Sequence, residues 1–425
     1  MPKKTSWFHR FETDLAVGGF LAKRDLKRAS KWTTFLISFV MLFTFLNLVV
    51  VSGILVGLIQ GSFDQNRKFD TGDVIISPFQ NTDVVNQSQQ VIQIVQSVPS
   101  VQNYSYRYTK GGSVTADYRD VLLKDQKANS MGTTIAGIDP EKEDATTHLS
   151  SLLVEGDYLK PTDSDSVLLG SDLLATYNTN QFPGFSPITG VGIGSKVLIT
   201  IGGSSKEFFV KGIVKSKINN VRNRAFIIES EFRKLAARDS LNVNEIAIVL
   251  NNTMTPDQAK QILIADGVGE YGRVQTSIEA LPSFLIQVQD TFSILGNVIS
   301  AIGLVVAAIT IFIVIFVNAI TRRRYIGILK GIGITPRAIL VSYMWQALFY
   351  AIVGSLFGAL VVFGFLKPYF DVHPINFPFS DGILVATVSG TAIRAGVLIF
   401  ATVIAGYIPA RMVIKQNTLD AILGR

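Results

Sequence analysis

Apolar positions gather into four long runs, one near the start of the chain and three in its last third, with a long polar stretch between the first and second. Residues 33–59 carry no charge. At 1.5 Å per residue they exceed the ~30 Å hydrocarbon core of a bilayer. The run is too long for the h-region of a signal peptide, so it reads as a permanent anchor. The second span is 283–320, with 292–320 as its apolar body and a stalk before it. The third and fourth are 339–366 and 383–408. Pro409 is expected to end the last. Lipid forces each to be a helix, because no other open structure satisfies its backbone. Ahead of the first run, Phe8, Phe11, Leu15, Gly19, Ala22, Leu26 and Ala29 recur at three and four, and the cations fall mostly elsewhere. Residues 1–32 therefore predict a basic amphipathic helix lying at the cytoplasmic interface.

Lys and Arg crowd the near side of the first run, the segment 321–338 and the tail 409–425. The positive-inside rule places these in the cytoplasm and puts 60–282 and the loop 367–382 outside. The expected fold class is an α-helical membrane protein. It has four transmembrane helices (1 + 3) and a large α/β extracytoplasmic domain inserted between the first and second.

The insert changes period. Short alternating or β-branched runs at 73–77, 104–108, 133–140, 196–201, 207–214, 224–229, 245–250 and 272–277 predict strands. Helical spacing appears at 84–98 and at 256–265, the latter opened by Thr255 as N-cap. This suggests an α/β lobe from 60–150 plus 240–282 and a β-rich lobe from 151–239.

Composition agrees with a mixed protein: 48% hydrophobic, 17% charged, mean hydropathy +0.36. The net charge of +7 clusters beside apolar runs, which points to anionic lipid and not to nucleic acid. Cysteine is absent, so disulfides and thiolate metal sites are excluded. His9, His148 and His373 lie far apart, and no metal site is expected. Gly190 to Lys196 lacks the Gly-Lys-Ser/Thr ending of a phosphate-binding loop. No Gly-x-Ser-x-Gly turn is present, so hydrolase chemistry has no motif.

The most informative stretch is Asn318 to Arg337, which holds five cations and no carboxylate. Ile326, Leu329 and Ile332 recur every three residues and predict one face of a short helix. Gly331 and Gly333 are expected to break it, and Pro336 to open the next. Ile326 to Arg337 resembles the "EIGILRAIGAT-R" segment of MacB/FtsX/LolC-LolE-type ABC transporter permeases, with Tyr325 where that family has glutamate. Residues 21–28 are similar to that family's approach to its first span. Tyr407 to Arg411 with Thr418 to Ile422 resembles its terminal signature.

The resemblance implies a coupling helix. Its expected ATPase-coupling residues are Arg322, Arg323, Arg324, Tyr325, Ile326, Gly327, Leu329, Lys330, Gly331 and Gly333. It also implies a non-catalytic permease subunit that binds no cofactor itself, with ATP and Mg on a separate cytoplasmic ABC ATPase present in two copies. Further partners would be a second permease chain, identical or paralogous, an extracytoplasmic adaptor or substrate protein, and membrane lipids. The cargo class would be an amphiphile, lipoprotein, peptide or antibiotic. Gly53, Gly57, Gly61, Gly354 and Gly358 stand four apart and suit close helix packing, within the chain or in a dimer. Arg394 is a cation inside a span and faces either a protein interior or, by snorkelling, the headgroups. Two other readings fit the same topology: a membrane-anchored sensor or scaffold, and an FtsX-like regulator of an extracytoplasmic partner. A secondary transporter is disfavoured by four spans without a repeat.

Overall fold

The computed structural model describes residues 7–119, 128–178, 186–251, 253–281, 283–377 and 380–415. The second half of the terminal signature, 418–422, lies outside them. In chain order the principal helices are α1 (Trp7–Arg28), α2 (Lys31–Thr71), α3 (Ser88–Ser97), α4 (Pro140–Thr147), α5 (Glu229–Leu235), α6 (Pro256–Ala265), α7 (Ser283–Thr321), α8 (Arg323–Gly331), α9 (Pro336–Val361) and α10 (Val388–Ile414). The strands are β1 (Val74–Ser77), β2 (Val101–Thr115), β3 (Ser130–Ile138), β4 (Leu153–Gly156), β5 (Ser166–Gly170), β6 (Lys196–Ile201), β7 (Ser204–Val214), β8 (Arg224–Ile228), β9 (Glu245–Leu250) and β10 (Arg273–Thr276). The chain divides into two compact units.

The first unit holds residues 1–59, 287–376 and 381–425. Helices α2, α7, α9 and α10 are each long and apolar enough to cross a membrane. Their seam is a cluster that includes Met41, Phe45, Ile311, Ile315, Tyr350 and Leu398. Small residues bring α9 against α2. A Cβ on Gly354 would lie 2.4 Å from Met41, and one on Gly358 would lie 2.3 Å from the Phe45 ring.

Two sequence expectations change here. The fourth span begins at Val388, not at 383. The preceding stretch instead lies across α2, where a Cβ on Gly57 would meet the Ile383 carbonyl oxygen at 1.8 Å. Pro409 sits inside α10, which continues to Ile414. Its buried neighbours Ala410, Val413 and Ile414 hold the last turns by packing, so the bond that proline removes does not end the helix. The small face of α1 is packed along α9. Asp14 meets Thr335, Gly18 closes on Val341, and Asp25 reaches Gln346. The pairs ascend together, so α1 and α9 run in the same direction.

The second unit holds residues 60–286 and 377–380. Its described strands form one sheet, β10-β1-β9-β2-β3-β8-β5-β7-β4, with β6 bridging β2 and β7. Strands β2, β3, β8, β5, β7 and β6 therefore close a ring. The two lobes expected from sequence share this sheet through β2. Residues 101–107 of β2 pair with β9, and residues 112–115 pair with β6. Gly112 stands at the crossover, where a Cβ would meet the Thr200 carbonyl oxygen at 2.4 Å. Alternation sorts side chains to two cores: Val167 and Leu169 face one, and Leu168 joins Ala136, Ile138 and Phe226 in the other.

The last turn of α2, Arg67–Thr71, belongs to this second unit and ends in a buried ion cluster. Arg107 on β2 is 1% exposed and uses its whole guanidinium. It donates to Glu143 on α4 at 2.7 Å, to Asp70 Oδ1 at 2.9 Å, to the Asp70 carbonyl at 2.7 Å and to Glu245 at 3.1 Å. Arg224 grips Glu245 with two nitrogens, at 2.8 and 3.1 Å. Burial pushes the Glu245 carboxyl up, but the Arg224 and Arg107 guanidiniums overcome it and hold the group at about 2. A folded value below the ordinary 4.5 means that its contribution is full above that pH and is lost as pH falls through about 2. We therefore expect Glu245→Gln to destabilise the protein at pH 7 and to flatten the acid limb of an unfolding-versus-pH curve followed by fluorescence. Parallel acid limbs for parent and variant would contradict this.

Candidate functional site

Thr321 ends α7, and Arg322, at φ −103° and ψ 14°, turns the chain into α8. The Arg322 guanidinium donates to Asp25 of α1 at 2.8 Å. Burial raises the Asp25 carboxyl above its usual range, against the pull of Arg322. Ile326, Gly327 and Leu329 are buried. Lys330 donates its Nζ to the Ile414 carbonyl at the end of α10, and burial lowers its pKa. Five of the ten residues expected to contact a partner thus face inward or are tied down: Arg322, Ile326, Gly327, Leu329 and Lys330. Lys330 is half-buried.

The end of α8 is built on one glycine. Ile334 donates to the Leu329 carbonyl at 3.0 Å and Gly333 to the Lys330 carbonyl at 3.1 Å, a Schellman closure. It requires a left-handed residue, and Gly333 supplies it at φ 94°. Gly331 is in the last helical turn with ordinary φ and open space around it, so only Gly333 breaks the helix. Ile332 follows the helix end and is 70% exposed, not in line with Ile326 and Leu329. Thr335 then caps α9 by accepting from the Ala338 amide at 3.1 Å, with Pro336 in its first turn.

What remains outward is a compact face of Arg324, Tyr325, Ile328, Gly331 and Ile332, with Arg337 beyond it. Ile328, 47% exposed, and Ile332 were not among the expected contact residues. Their signal was available, because 325, 328 and 332 follow helical spacing opposite the buried set. Asp25 was missed too, and nothing local in sequence pairs it with Arg322. An exposed apolar stripe edged by arginines on a short, firmly backed helix suits a protein-binding surface.

The packing glycines serve contacts within the chain. Gly53 and Gly57 close on 383–385, and Gly354 and Gly358 on α2. Gly61 is buried in the second unit. Arg394, half-buried in the second turn of α10, donates to Ser52 Oγ of α2 at 2.8 Å. A groove of about 830 Å³ runs between α2 and α7, lined by Phe39, Phe43, Val50, Ile302 and Val306. Asn47 also lines it, and its buried Oδ1 has no hydrogen-bond partner. One face of α7 is bare: Ile294, Val298, Ile302, Val305, Ile309 and Ile313 form an exposed apolar stripe, while Ala307, Ile311, Ile315 and Ala319 are buried.

Residues 297–418 match the family model described as FtsX-like permease C-terminal. Over 227 residues the chain is 25% identical to an uncharacterized ABC transporter permease of Methanocaldococcus jannaschii, covering 52% of this chain and 55% of that protein. The chain thus aligns with about half the length of this curated relative. Two solved structures are similar. The crystal structure of the periplasmic region of MacB from Actinobacillus actinomycetemcomitans is 14% identical with a TM-score of 0.33, covering 49% of this chain and 92% of that one. The extracellular domain of a noncanonic ABC-type transporter, YknZ, from Gram-positive bacteria is 13% identical with a TM-score of 0.30, covering 48% and 97%. These likenesses are too distant to bear on function.

The two glycines of α8 should respond with opposite signs. Gly333→Ala strains a left-handed position and is expected to cost about 1 kcal/mol. Gly331→Ala, in a helical position with free space, is expected to gain roughly 0.5–1 kcal/mol. Amide exchange at 332–334 and thermal unfolding of the purified chain would read both. Equal responses would refute the assignment.

Proposed function

We propose, on the premise that this chain belongs to the FtsX-like permeases of the MacB/FtsX type, that it couples a separate ABC ATPase to movement of its own sheet unit. The carrying observation is α8, whose buried face is fixed to α1 and α10 while Arg324, Tyr325, Ile328 and Ile332 stand free to be gripped. In this reading α8 and both chain ends lie in the cytoplasm, and residues 60–282 lie outside the inner membrane. Two ATPase copies, holding ATP and Mg, close on a pair of permease chains. Closure displaces α8, and α7 carries the displacement along its 39 residues. The permease supplies no catalytic group; hydrolysis belongs to the partner.

The substrate fits an amphiphile taken from the membrane. The groove between α2 and α7 offers aromatic and aliphatic walls to a hydrocarbon, and Asn47 Oδ1 offers one acceptor to a polar headgroup. The bare face of α7 suits either lipid or the second permease chain.

The docking assignment is tested by Ile328→Asp with Ile332→Asp. Both residues are exposed, so the fold should survive. Loss of two interface anchors is expected to cut ATPase co-purification by about tenfold or more, with ATP turnover of the complex falling alongside. Charge reversal of Arg324 should act in the same direction. Undiminished co-purification by the doubly substituted chain would remove α8 as the docking element.

A further inference from the structure

A second groove, of about 540 Å³, lies between α1 and α9. It is within the ~300–1,000 Å³ of small-molecule sites. Its floor is apolar: Gly19, Ala22 and Leu26 from α1, with Trp345 and Phe349 from α9. Lys23 and Lys27 stand on its rim, both exposed. They are four residues apart and so share one side of α1. Neither has an ion-pair partner among the described residues. The nearby carboxylate of α1, Asp25, is engaged by Arg322 and Gln346. The groove therefore carries uncompensated positive charge at its mouth and hydrocarbon at its base.

Position along the chain says what kind of molecule this meets. The uncharged run begins at Thr33, six residues after Lys27 and just past the break between α1 and α2, so the groove lies close before the apolar segment. Headgroup layers are ~5–8 Å deep on each side of the hydrocarbon core. Lysine stems extend further, so both ammonium groups reach the phosphate level while Trp345 and Phe349 face the first methylenes. Trp32, strongly exposed at the same boundary, is the residue type that sits there.

We propose that this groove is a binding site for one anionic phospholipid, its phosphate held by Lys23 and Lys27 and its acyl chain laid over Ala22, Leu26, Trp345 and Phe349. A lipid seated there would bridge α1 and α9, the two helices between which α8 is strung through Arg322 and Thr335.

Quenching by brominated lipid tests this in the full-length chain. The protein has three tryptophans, so Trp7→Phe and Trp32→Phe leave Trp345 as the sole reporter. In phosphatidylcholine bilayers, brominated phosphatidylglycerol should quench Trp345 with a relative binding constant about fivefold above that of brominated phosphatidylcholine. Lys23→Gln with Lys27→Gln should bring the ratio to about one, while Arg28→Gln, outside the groove, should leave it unchanged. Gly19→Leu should fill the groove and abolish the preference. A Cβ at Gly19 meets no atom within 4 Å and a helical glycine is replaced, so this variant should fold at least as well as the parent. Equal constants for the two lipids in the parent would overturn the proposal. So would a preference that survives the double lysine substitution or the filled groove. A preference erased by excess inorganic phosphate would assign the lysines to a soluble anion instead, and would equally overturn it.

Discussion

A peptide group in hydrocarbon has no water to bond to, and each unsatisfied one costs several kcal/mol. That constraint sets where this chain is allowed to be irregular. The four long apolar segments are helical from end to end, with α2 passing through a π turn at Asn47–Val51 and α9 continuing into one at Val362–Leu366 without a break. Turns that free backbone groups collect at the ends of the spans. There Thr335 and Thr387 cap α9 and α10 with their hydroxyls, and Gly333 closes α8. α8 exists because the chain has to reverse between α7 and α9. Once outside the apolar layer it is free to be amphipathic, short and capped.

The same economy of polar groups explains why α8 is held firmly. A helix of nine residues is marginal in water, so its stability comes from what its inner face touches. Ile326 and Leu329 supply apolar burial, and Lys330 binds a carbonyl that the end of α10 leaves open. Arg322 meets a carboxylate whose burial would be costly without it. With those groups turned inward, Arg324, Tyr325, Ile328 and Ile332 are what the helix presents outward. A rigidly backed helix transmits displacement, and a frayed one does not.

Much of this was legible in the residues. Uninterrupted apolar runs located the spans, alternation located most strands, and Thr255 marked α6 to the residue. The run of cations with Ile-Gly pairs singled out α8. What sequence could not supply was the identity of facing partners. Period two says that Val167 and Leu168 point opposite ways, but not that β6 returns to β2 and closes a ring. Period 3.6 sorts Ile326 from Ile328, yet which of the two faces inward depends on α1 and α10. The spacing of Gly354 and Gly358 announces a close approach without naming Met41 and Phe45. Arg322 and Asp25 are separated by nearly three hundred residues, so no local pattern joins them. The helix-breaking reading of Gly331 failed for a related reason: only the hydrogen-bonding pattern shows which glycine carries positive φ.

The second unit solves a different problem. The final turn of α2 enters it as a polar helix end, whose last carbonyls need donors. An apolar core would leave them unpaired. Arg107 instead donates to the Asp70 carbonyl itself while binding the Asp70, Glu143 and Glu245 carboxylates. Three carboxylates and two arginines make such a cluster poor as a source of net stability, since each ion was desolvated to build it. It is good at specificity. Any shift of 67–71 against β2, β8 or β9 would strand a buried charge, so this helix end has one register on the sheet. Where apolar packing would tolerate sliding, the ion cluster does not.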